Sequence, residues 1–481
     1  MLSLITDLLW SKVLIALLIA LGVTFTVASN FSQFRYFGRM FRLLGRSFRH
    51  EGNHLSSFQA LAMSVAGRVG AGNIAGVAVA ITLGGPGAIF WMWVVGLMGM
   101  ATSIYECSLA QLFKQTEPDG SYRGGPAFYI KHGLKNRWMA HLFSVLLMLT
   151  FGFAFPSLQS FTVSSSFESA FSIPAYATGI ALAAVVGIII FGGVRRIADA
   201  AQYVVPFMAI GYLVVALRVI GTNIESVPDI LSLIVNSAFG LEQAVGGGVG
   251  AAILMGVKRG LFSNEAGLGS APNTAAISYV KHPVEQGILQ AFSVFVDTVI
   301  LCTCTAIIIL LSDIYQSGTD LGGVALTQNA LAEHVGGWGV YFVSIALALF
   351  AFTSVMYSYY LGENSLSFMF GEKTTIFNAY RFLFLVLVVW GSAQNLSTVF
   401  AFADLTMGLL AIINLVALAL LIKPVKRILN DYDQQLNQGV EEPQLDINQF
   451  NDLDLDKTAW VHPEEASSLA EGSPEHLLKM R

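Results

Sequence analysis

The sequence has few charged residues and few cysteines. Asp, Glu, Lys and Arg make up 12% of its 481 residues, whereas apolar residues make up 55%. A typical soluble domain carries about twice that share of charge, so a soluble multidomain enzyme is disfavoured. The three cysteines, Cys107, Cys302 and Cys304, fall in apolar runs without a paired framework. Disulfides are therefore not expected.

Several catalytic motifs are missing as well. The sequence contains no GxxxxGK[ST] and no HExxH, and its eight histidines are scattered. These absences exclude a P-loop ATPase and give no indication of a zinc protease or another metal site. GAGNIAG (70–76) mimics a dinucleotide-binding loop, but no strand precedes it and no acidic residue follows at the usual distance.

Long apolar runs dominate the rest of the chain. A hydrocarbon core of about 30 Å is crossed by about 20 apolar residues in an α-helix. Eleven such runs predict an all-α polytopic membrane protein. We name them helix 0 and helices 1 to 10, at residues 8–29, 56–83, 86–113, 138–163, 174–193, 202–220, 240–264, 287–313, 338–364, 377–394 and 397–422.

The distribution of Lys and Arg tests this count, because a missed span would scramble every later loop. Basic residues collect in every second loop, for example Arg195 and Arg196 after helix 4 and Lys423 after helix 10. The intervening stretches 164–173 and 314–337 contain neither Lys nor Arg. The pattern predicts an N-terminus outside and a C-terminus in the cytoplasm.

Three segments surround the predicted ten-helix core. Residues 1–30 hold helix 0, and its basic cluster follows it, which is the reverse of a signal peptide's charge order. Residues 31–54 alternate aromatics and arginines, which suits an amphipathic helix in the cytoplasmic headgroup layer. Residues 424–481 are polar and acidic, so we expect a mostly disordered cytosolic tail, with a short docking segment near Trp460 as an alternative.

Helices 1 and 6 share a motif. Residues 68–76 read RVGAGNIAG and residues 259–267 read RGLFSNEAG, so both contain R-x4-N-x-A-G. The two helices are five spans apart and cross the membrane in opposite senses, as inverted-topology repeats require. The core, residues 55–423, thus divides into repeats at about 55–220 and 238–423.

Glycines are expected to break both helices at this motif, namely Gly67, Gly70 and Gly72 in helix 1 and Gly256 and Gly260 in helix 6. A break at bilayer depth exposes free N–H groups on one half-helix and free C=O groups on the other. The first set suits a carboxylate and the second an ammonium group or Na⁺, which describes an amino acid and a coupling ion. Close helix packing is the usual role of glycine in a span. Packing does not account for the polar neighbours of these glycines: Asn73, Ser263, Asn264 and Glu265.

Ionisable residues inside a span are energetically expensive and mark functional sites. Asp297 stands alone in an apolar run of helix 7 and is the leading candidate for a side-chain ligand of Na⁺. Glu106 lies nearer the cytoplasmic end of helix 2, where a structural pairing explains it equally well. Arg68 and Arg259 flank the breaks. They are expected to gate the cytoplasmic side or to pair with a buried glutamate: Glu106, Glu265 or Glu363.

Three stretches carry a family resemblance. GGPGAIFWMWVVGLMG (84–99), VGAGNIAGV (69–77) and RGLFSNEAGLGSAP (259–272) resemble hallmark sequences of the alanine or glycine:cation symporter family. The resemblance implies the five-plus-five inverted-repeat fold of neurotransmitter:sodium symporters, with helix 0 added. It also implies alanine, glycine or a similar small neutral amino acid as substrate, Na⁺ as coupling ion, no other cofactor, and a bacterial inner membrane as location.

The resemblance further implies the residues of the site. The substrate carboxylate would face the backbone of helix 1, and the amino group would face carbonyls of helix 6. The implied substrate-binding residues on these two helices are Gly70, Ala71, Gly72, Asn73, Gly260, Phe262, Ser263 and Asn264. One sodium site would use Asn73 and Asp297. A second would use the hydroxyls of Thr353 and Ser354 with the carbonyls of Ala66 and Val69, although such hydroxyls commonly bond back to their own helix.

Two positions depart from the family's usual pattern. Helix 3 has Gln159-Ser-Phe161 where many members have Gln-x-Asn, and helix 8 has Ser358 where many have Trp. Gln159, Phe161 and Ser358 are implied to border the substrate side chain. The choice among alanine, glycine, serine and a larger neutral amino acid therefore stays open.

The expected function is Na⁺-coupled amino-acid symport by alternating access within the lipid bilayer. No nucleic-acid partner is expected, and the oligomeric state is not predicted. One alternative is a proton-coupled carrier or exchanger on the same fold, with Asp297 or Glu106 carrying the proton. Another is a channel or a non-transporting amino-acid sensor. A membrane enzyme would need a nucleophile and a base, and no such arrangement is found.

Overall fold

The computed structural model describes residue 6 and residues 8–49, 54–241, 248–315 and 321–460. Most of this part of the chain is helical. Its only strands form a short antiparallel hairpin of Gln115–Thr116 with Tyr122–Arg123. The prediction of an all-α protein is confirmed.

Eight helices in the described residues are long and apolar enough to cross a membrane. They are helix 0 (Leu9–Ala28), helix 2 (Gly87–Leu112), helix 3 (Arg137–Phe171), helix 5 (Gly193–Thr222), helix 7 (Pro283–Leu310), helix 8 (Trp338–Phe370), helix 9 (Thr374–Ser392) and helix 10 (Leu396–Leu420). Helix 1 is a bent pair, Ser57–Arg68 and Gly72–Gly84, at an angle of 46°. Helix 4 (Ala175–Ile190) and helix 6 (Val249–Asn264) are shorter. A helix therefore stands at each predicted span, and the protein is a multi-pass membrane protein.

Helix 3 is longer than its apolar run predicts. It continues through serine-rich residues to Phe171 instead of ending at residue 163. The Ser164 hydroxyl donates to the Ser160 carbonyl at 2.8 Å, and the Ser166 hydroxyl donates to Ser344 Oγ of helix 8 at 3.0 Å. Because these hydroxyls are satisfied inside the bundle, polar residues here do not end the helix.

Additional helices lie outside the predicted spans. These are Ser32–Arg35, Phe37–Arg46, Pro126–Gly133, Val227–Ala238, Ala271–Ala275, Val324–Val335 and Ile422–Asn437. Ala271–Ala275 follows the end of helix 6 and forms the second half of that interrupted element. Phe37–Arg46 lies in the segment predicted to be amphipathic.

Helix 1 breaks where its glycines predict. The first half ends at Arg68, and Val69 has extended backbone angles of φ −80° and ψ 94°. The chain resumes as a π-helical turn, Gly72–Gly76, before an ordinary α-helix follows. π-Turns are rare and often occur at functional sites.

Helix 6 breaks later than predicted. It runs without interruption to Asn264, and the break spans residues 265–270. Positive φ angles occur at Glu265 (55°), Gly267 (92°) and Gly269 (79°). Glycine adopts such angles without strain, which explains two of these three positions.

The prediction that Gly256 and Gly260 unwind helix 6 is wrong. Both lie inside Val249–Asn264 and face helix 2. A Cβ atom on Gly256 would come within 2.5 Å of the Ala88 carbonyl oxygen and of the Trp91 Cβ atom. Close helix packing, the ordinary role of glycine in a span, therefore explains them. The sequence also has a glycine-rich stretch upstream, GGGVG (246–250), which is expected to add to the break; its residues 246 and 247 lie outside the described residues.

The expected disorder of the tail is contradicted for its first part. Residues 422–437 form the helix Ile422–Asn437, with Ile428 and Tyr432 buried against the protein. Residues 438–460 continue as a described segment with two short 3₁₀ turns, Ile447–Phe450 and Lys457–Trp460. Residues 461–481 lie outside the described residues.

Candidate amino-acid and cation site

Asn73 joins the two interrupted helices to helix 7. Its carboxamide oxygen accepts a hydrogen bond from the Gly70 N–H at 3.0 Å. Its Nδ2 donates to a carboxylate oxygen of Asp297 at 2.6 Å and lies 3.4 Å from the Ser263 hydroxyl. Asn73 and Asp297 both lie on π-turns, Gly72–Gly76 and Phe295–Leu301. The structure thus brings together the two residues predicted for the first sodium site.

Asp297 is fully buried and surrounded by hydrogen-bond donors. Its second carboxylate oxygen accepts from the hydroxyls of Ser263 and Thr298, each at 2.8 Å. Together with the bond from Asn73, these contacts satisfy both oxygens of a carboxylate that is buried away from water. Ser263 thereby ties the last turn of helix 6 to the carboxylate.

Cys302 belongs to this cluster, which the sequence interpretation missed. Its Sγ lies 3.2 Å from the Ser263 hydroxyl and 3.4 Å from Asn73 Nδ2. Cys302 follows Asp297 by five residues, which would place the two on different faces of a regular α-helix. The intervening π-turn brings them to the same side, and an apolar run gives no local signal for such a turn.

The Gln159 side chain of helix 3 contacts the break in helix 1. Its Oε1 accepts from the Ala71 N–H at 3.0 Å. A Cβ atom on Gly70 would lie 2.7 Å from Gln159 Nε2 and 2.6 Å from Ser354 Oγ, so a larger residue there would displace one or both of these side chains. Opposite, the Phe262 ring and the Ser263 backbone approach Gly72, within 3.2–3.3 Å of where its Cβ would be.

Four other predicted substrate-binding residues have different surroundings. Gly260 faces Met92 and Val95 of helix 2. The Asn264 side-chain oxygen accepts from the Ala266 N–H at 3.0 Å, within the break itself. Phe161 is half-buried and packs against the apolar core, and Ser358 is buried on helix 8, one turn beyond Ser354. Their roles stay predictions.

The hydroxyls of Ser354 and Thr353, both predicted for a second sodium site, donate hydrogen bonds to different helices. The Ser354 hydroxyl donates to the Ala66 carbonyl at 2.8 Å and lies 3.4 Å from the Val69 carbonyl. The Thr353 hydroxyl donates to the Phe350 carbonyl of its own helix at 2.9 Å. Ser354 alone therefore bridges helix 8 to the free carbonyls at the end of the first half of helix 1.

Arg68 holds the ends of the broken helices together. Its guanidinium is buried and donates to the Asn264 carbonyl at 2.6 Å, to the Gln290 carbonyl at 3.2 Å and to the Ser293 hydroxyl. Within the described residues it forms no ion pair with a glutamate within 4.0 Å. The expected pairing of Arg68 is therefore replaced by a cap on the last carbonyl of helix 6, since free carbonyls at a helix C-terminus attract cations.

Arg259 pairs with Asp404, a partner the sequence interpretation did not consider. Arg259 Nη2 lies 2.7 Å and Lys258 Nζ 2.7 Å from the same Asp404 oxygen. Asp404 lies on helix 10, and its backbone carbonyl accepts from the Trp10 indole of helix 0 at 3.1 Å. This buried triad ties helix 6 to helices 10 and 0, and Glu363 instead lies near Arg381 at 3.8 Å.

Two buried glutamates hold the break in helix 6. Glu265 accepts from the Ser270 hydroxyl at 2.6 Å, across the break. Glu106 of helix 2 accepts from the Gly267 N–H at 3.2 Å and from Asn414 Nδ2 at 3.1 Å. A carboxylate that accepts from free N–H groups satisfies them where no water reaches. Glu106 thus makes a structural pairing of the kind considered for it, and its role in transport stays a prediction.

A multi-pass protein in which two interrupted helices, five spans apart, meet a buried carboxylate belongs to the class of secondary transporters. A crystal structure of the Eremococcus coleocola manganese transporter has a similar fold, with a TM-score of 0.50 and 13% identity over 77% of this chain and 78% of that one.

The chain belongs to the sodium:alanine symporter family, whose model matches residues 1–447. It is therefore a cation-coupled amino-acid symporter, not an enzyme, and the family resemblance is confirmed. The probable sodium/glutamine symporter GlnT of Bacillus subtilis is 49% identical over 90% of both chains. The amino-acid carrier protein AlsT of the same organism is 46% identical, over 91% of this chain and 92% of the relative. The sodium/proton-dependent alanine carrier of Bacillus sp. strain PS3 is 39% identical, over 82% and 92%.

Proposed function

We propose that the protein takes up a small neutral amino acid, alanine or glycine, together with Na⁺ across the bacterial inner membrane, with its N-terminus outside and its C-terminus in the cytoplasm. The observation that carries this proposal is the contact of Asn73 with both the Gly70 N–H and the Asp297 carboxylate. One side chain there connects the backbone proposed to bind the substrate carboxylate with the side chain proposed to bind Na⁺.

The balance of buried charge supports coupling to a cation. Glu106, Glu265 and Asp297 are all buried, and the described ion pairs within 4.0 Å include none of them. Arg68 supplies a buried positive charge beside the breaks, and its guanidinium donates hydrogen bonds to carbonyl and hydroxyl oxygens of neighbouring residues. Buried carboxylates without a paired cation are costly, and binding of Na⁺ and of a substrate ammonium group would offset that cost.

The mechanism we propose is alternating access. Na⁺ and the amino acid bind between helices 1, 3, 6 and 8 from outside, the site closes, and the helices move as units to open inward. Moving one net positive charge inward gains about 2.3 kcal/mol per 100 mV. A tenfold concentration ratio costs about 1.4 kcal/mol, so the membrane potential alone would support uphill uptake.

A direct test is uptake of radiolabelled alanine by purified protein in proteoliposomes. We expect uptake driven by an inward Na⁺ gradient to exceed that in a matched K⁺ gradient, with the pH gradient collapsed in both. Uptake that needs the pH gradient and ignores Na⁺ would favour a proton-coupled carrier. Alanine binding without flux would favour a sensor.

The relative named as a glutamine symporter supports a second candidate substrate. Unlabelled glycine, serine and glutamine should therefore compete in the same assay. We expect glycine to compete with alanine. Strong competition by glutamine with none by glycine would replace the small-substrate proposal by one for a larger neutral amino acid.

Ser354→Ala should weaken apparent Na⁺ affinity, because it removes the hydroxyl that lies among the Ala66 and Val69 carbonyls. One neutral hydrogen-bonding group is worth about 0.5–1.5 kcal/mol, which corresponds to roughly a 2- to 10-fold rise in the Na⁺ concentration for half-maximal uptake. Thr353→Val is the matched control, since the Thr353 hydroxyl bonds to its own helix. Equal effects of both substitutions would contradict the distinction.

A further inference from the structure

Residues 438–460, which we call the strap, lie across one face of the protein after the helix Ile422–Asn437. That helix is itself attached to the segment after helix 0. Arg35 Nη1 lies 2.6 Å from an Asp433 carboxylate oxygen, and Arg39 donates to the Tyr432 hydroxyl at 2.6 Å. Arginines of the 31–54 segment thus contact the helix that begins the acidic tail.

In the middle of the strap one carboxylate lies among three cations, and the neighbouring Glu441 also pairs with Arg46, at 3.1 Å. Glu442 lies 2.8 Å from Lys281, 3.4 Å from Arg46 and 3.9 Å from Arg49. The Lys281 ammonium donates a hydrogen bond to Glu442, which lowers the pKa of that carboxyl below its usual range. The Leu445 N–H also donates to the Lys281 carbonyl at 2.9 Å.

The far end of the strap is anchored on the loop after helix 2. Asp454 lies 2.7 Å from His132, and Asp456 accepts from the Thr116 N–H at 2.8 Å. The Trp460 ring covers the buried Lys114 ammonium, which lies 4.6 Å from the ring centroid. A cation over an aromatic face is attracted to it, more strongly when water is excluded.

These anchors surround the inner ends of helices 1 and 6. Leu55, just before helix 1, forms a β-bridge with Ser278, just after Ala271–Ala275. Deeper in the same interface, the hydroxyls of Ser64 and Thr274 are hydrogen-bonded. Lys281 follows Ser278 by three residues, and Arg46 precedes helix 1, so Glu442 bridges the two chain segments that lead into this interface.

We propose that the strap is a built-in brake that holds the cytoplasmic side of the transporter closed and must loosen for that side to open. The inference rests on the alternating access proposed above, because opening inward separates the inner ends of helices 1 and 6. The contacts of Glu442 lie at the protein surface and are weakened by salt. The brake therefore responds to cytosolic ionic strength.

The test uses full-length protein with Ser64→Cys, which places a thiol in the closed interface. We measure the rate at which a membrane-impermeant maleimide labels the protein in detergent and KCl, without Na⁺ or amino acid. The background is the labelling of protein without the added cysteine, whose three native cysteines are buried, and it is subtracted. Adding Glu442→Gln should raise the labelling rate roughly two- to fivefold, the factor that one exposed ion pair supplies. Glu442→Lys should raise it further by repelling the three cations.

Asp446→Asn is the matched control, because it removes the same charge from the strap while its described hydrogen bonds, to Asn448 and Gln449, stay within the strap. Raising KCl from low to high concentration should accelerate labelling of the parent and have less effect on Glu442→Gln. If Ser64→Cys fails to yield folded protein, Thr274→Cys reports on the same interface.

Equal labelling of the parent, Glu442→Gln and Glu442→Lys would overturn the proposal, as would an equal increase in Asp446→Asn. The measurement needs neither alanine nor Na⁺. Failure of the uptake experiments would therefore count against the proposed substrate and coupling ion without altering this result.

Discussion

Asp297→Asn should strongly weaken the stimulation of amino-acid uptake by Na⁺. The substitution keeps the size of a side chain that is fully buried and accepts from Asn73, Ser263 and Thr298, but it removes the negative charge. Bonds to charged groups are worth about 1.5–3 kcal/mol, so apparent Na⁺ affinity should fall by roughly 10- to 150-fold. The measurement is initial alanine uptake against Na⁺ concentration in proteoliposomes.

Asp313→Asn is the control for this substitution. It makes the same chemical change at an exposed position just beyond the end of helix 7 and should leave the Na⁺ dependence unchanged. Wild-type Na⁺ dependence in Asp297→Asn would remove Asp297 from the proposed sodium site. Asn73→Ala should give the same defect, since Asn73 links Asp297 to the Gly70 backbone.

Gly70→Ala should eliminate uptake while the protein remains folded. The added Cβ atom would lie 2.6 Å from Ser354 Oγ and 2.7 Å from Gln159 Nε2, closer than packed atoms approach. Gln159 and Ser354 would have to shift, which would break the hydrogen bond that Gln159 accepts from the Ala71 N–H and the one that Ser354 donates to the Ala66 carbonyl. Overpacking of this kind costs about 1–3 kcal/mol, and the two lost contacts lie at the proposed substrate and sodium sites.

Gly211→Ala provides the comparison, because nothing lies within 4 Å of its Cβ position in helix 5. Thermal unfolding in detergent separates a loss of function from a loss of folding. Alanine uptake by Gly70→Ala at the rate of Gly211→Ala would show that the break in helix 1 tolerates a side chain, contrary to the close approach described above.

The spans were predictable because the bilayer imposes a simple length rule on apolar runs. The break in helix 1 was predictable for a related reason, since Gly70 and Gly72 stand beside a polar residue. The expectation that glycines beside polar residues break a helix failed at Gly256 and Gly260. A glycine that breaks a helix and a glycine that allows close helix packing cannot be distinguished from the sequence alone. The Ala88 carbonyl of helix 2, which lies close to Gly256 only in the folded protein, shows that Gly256 serves helix packing.

Within the site, Asp297 was predictable as an isolated carboxylate, and its pairing with Asn73 was implied by the family resemblance, whereas the charge partners of the arginines were not predicted. Asp404 is an acid within an apolar run, as Asp297 is, and the same reasoning could have singled it out. Its pairing with Arg259 depends on the packing of helix 6 against helix 10, which sequence spacing does not encode. Likewise, the acidic tail lacks a core of its own, and its order derives from basic residues such as Arg46 and Lys281, far away in sequence.

Uptake of radioactive sodium into proteoliposomes, measured with and without external alanine, tests most directly whether one site formed by the two breaks binds an amino acid and carries it together with Na⁺. We expect sodium entry that requires alanine, saturates with alanine and is lost in Asp297→Asn. Alanine entering without accompanying sodium, or sodium entering at the same rate whether or not alanine is present, would contradict it.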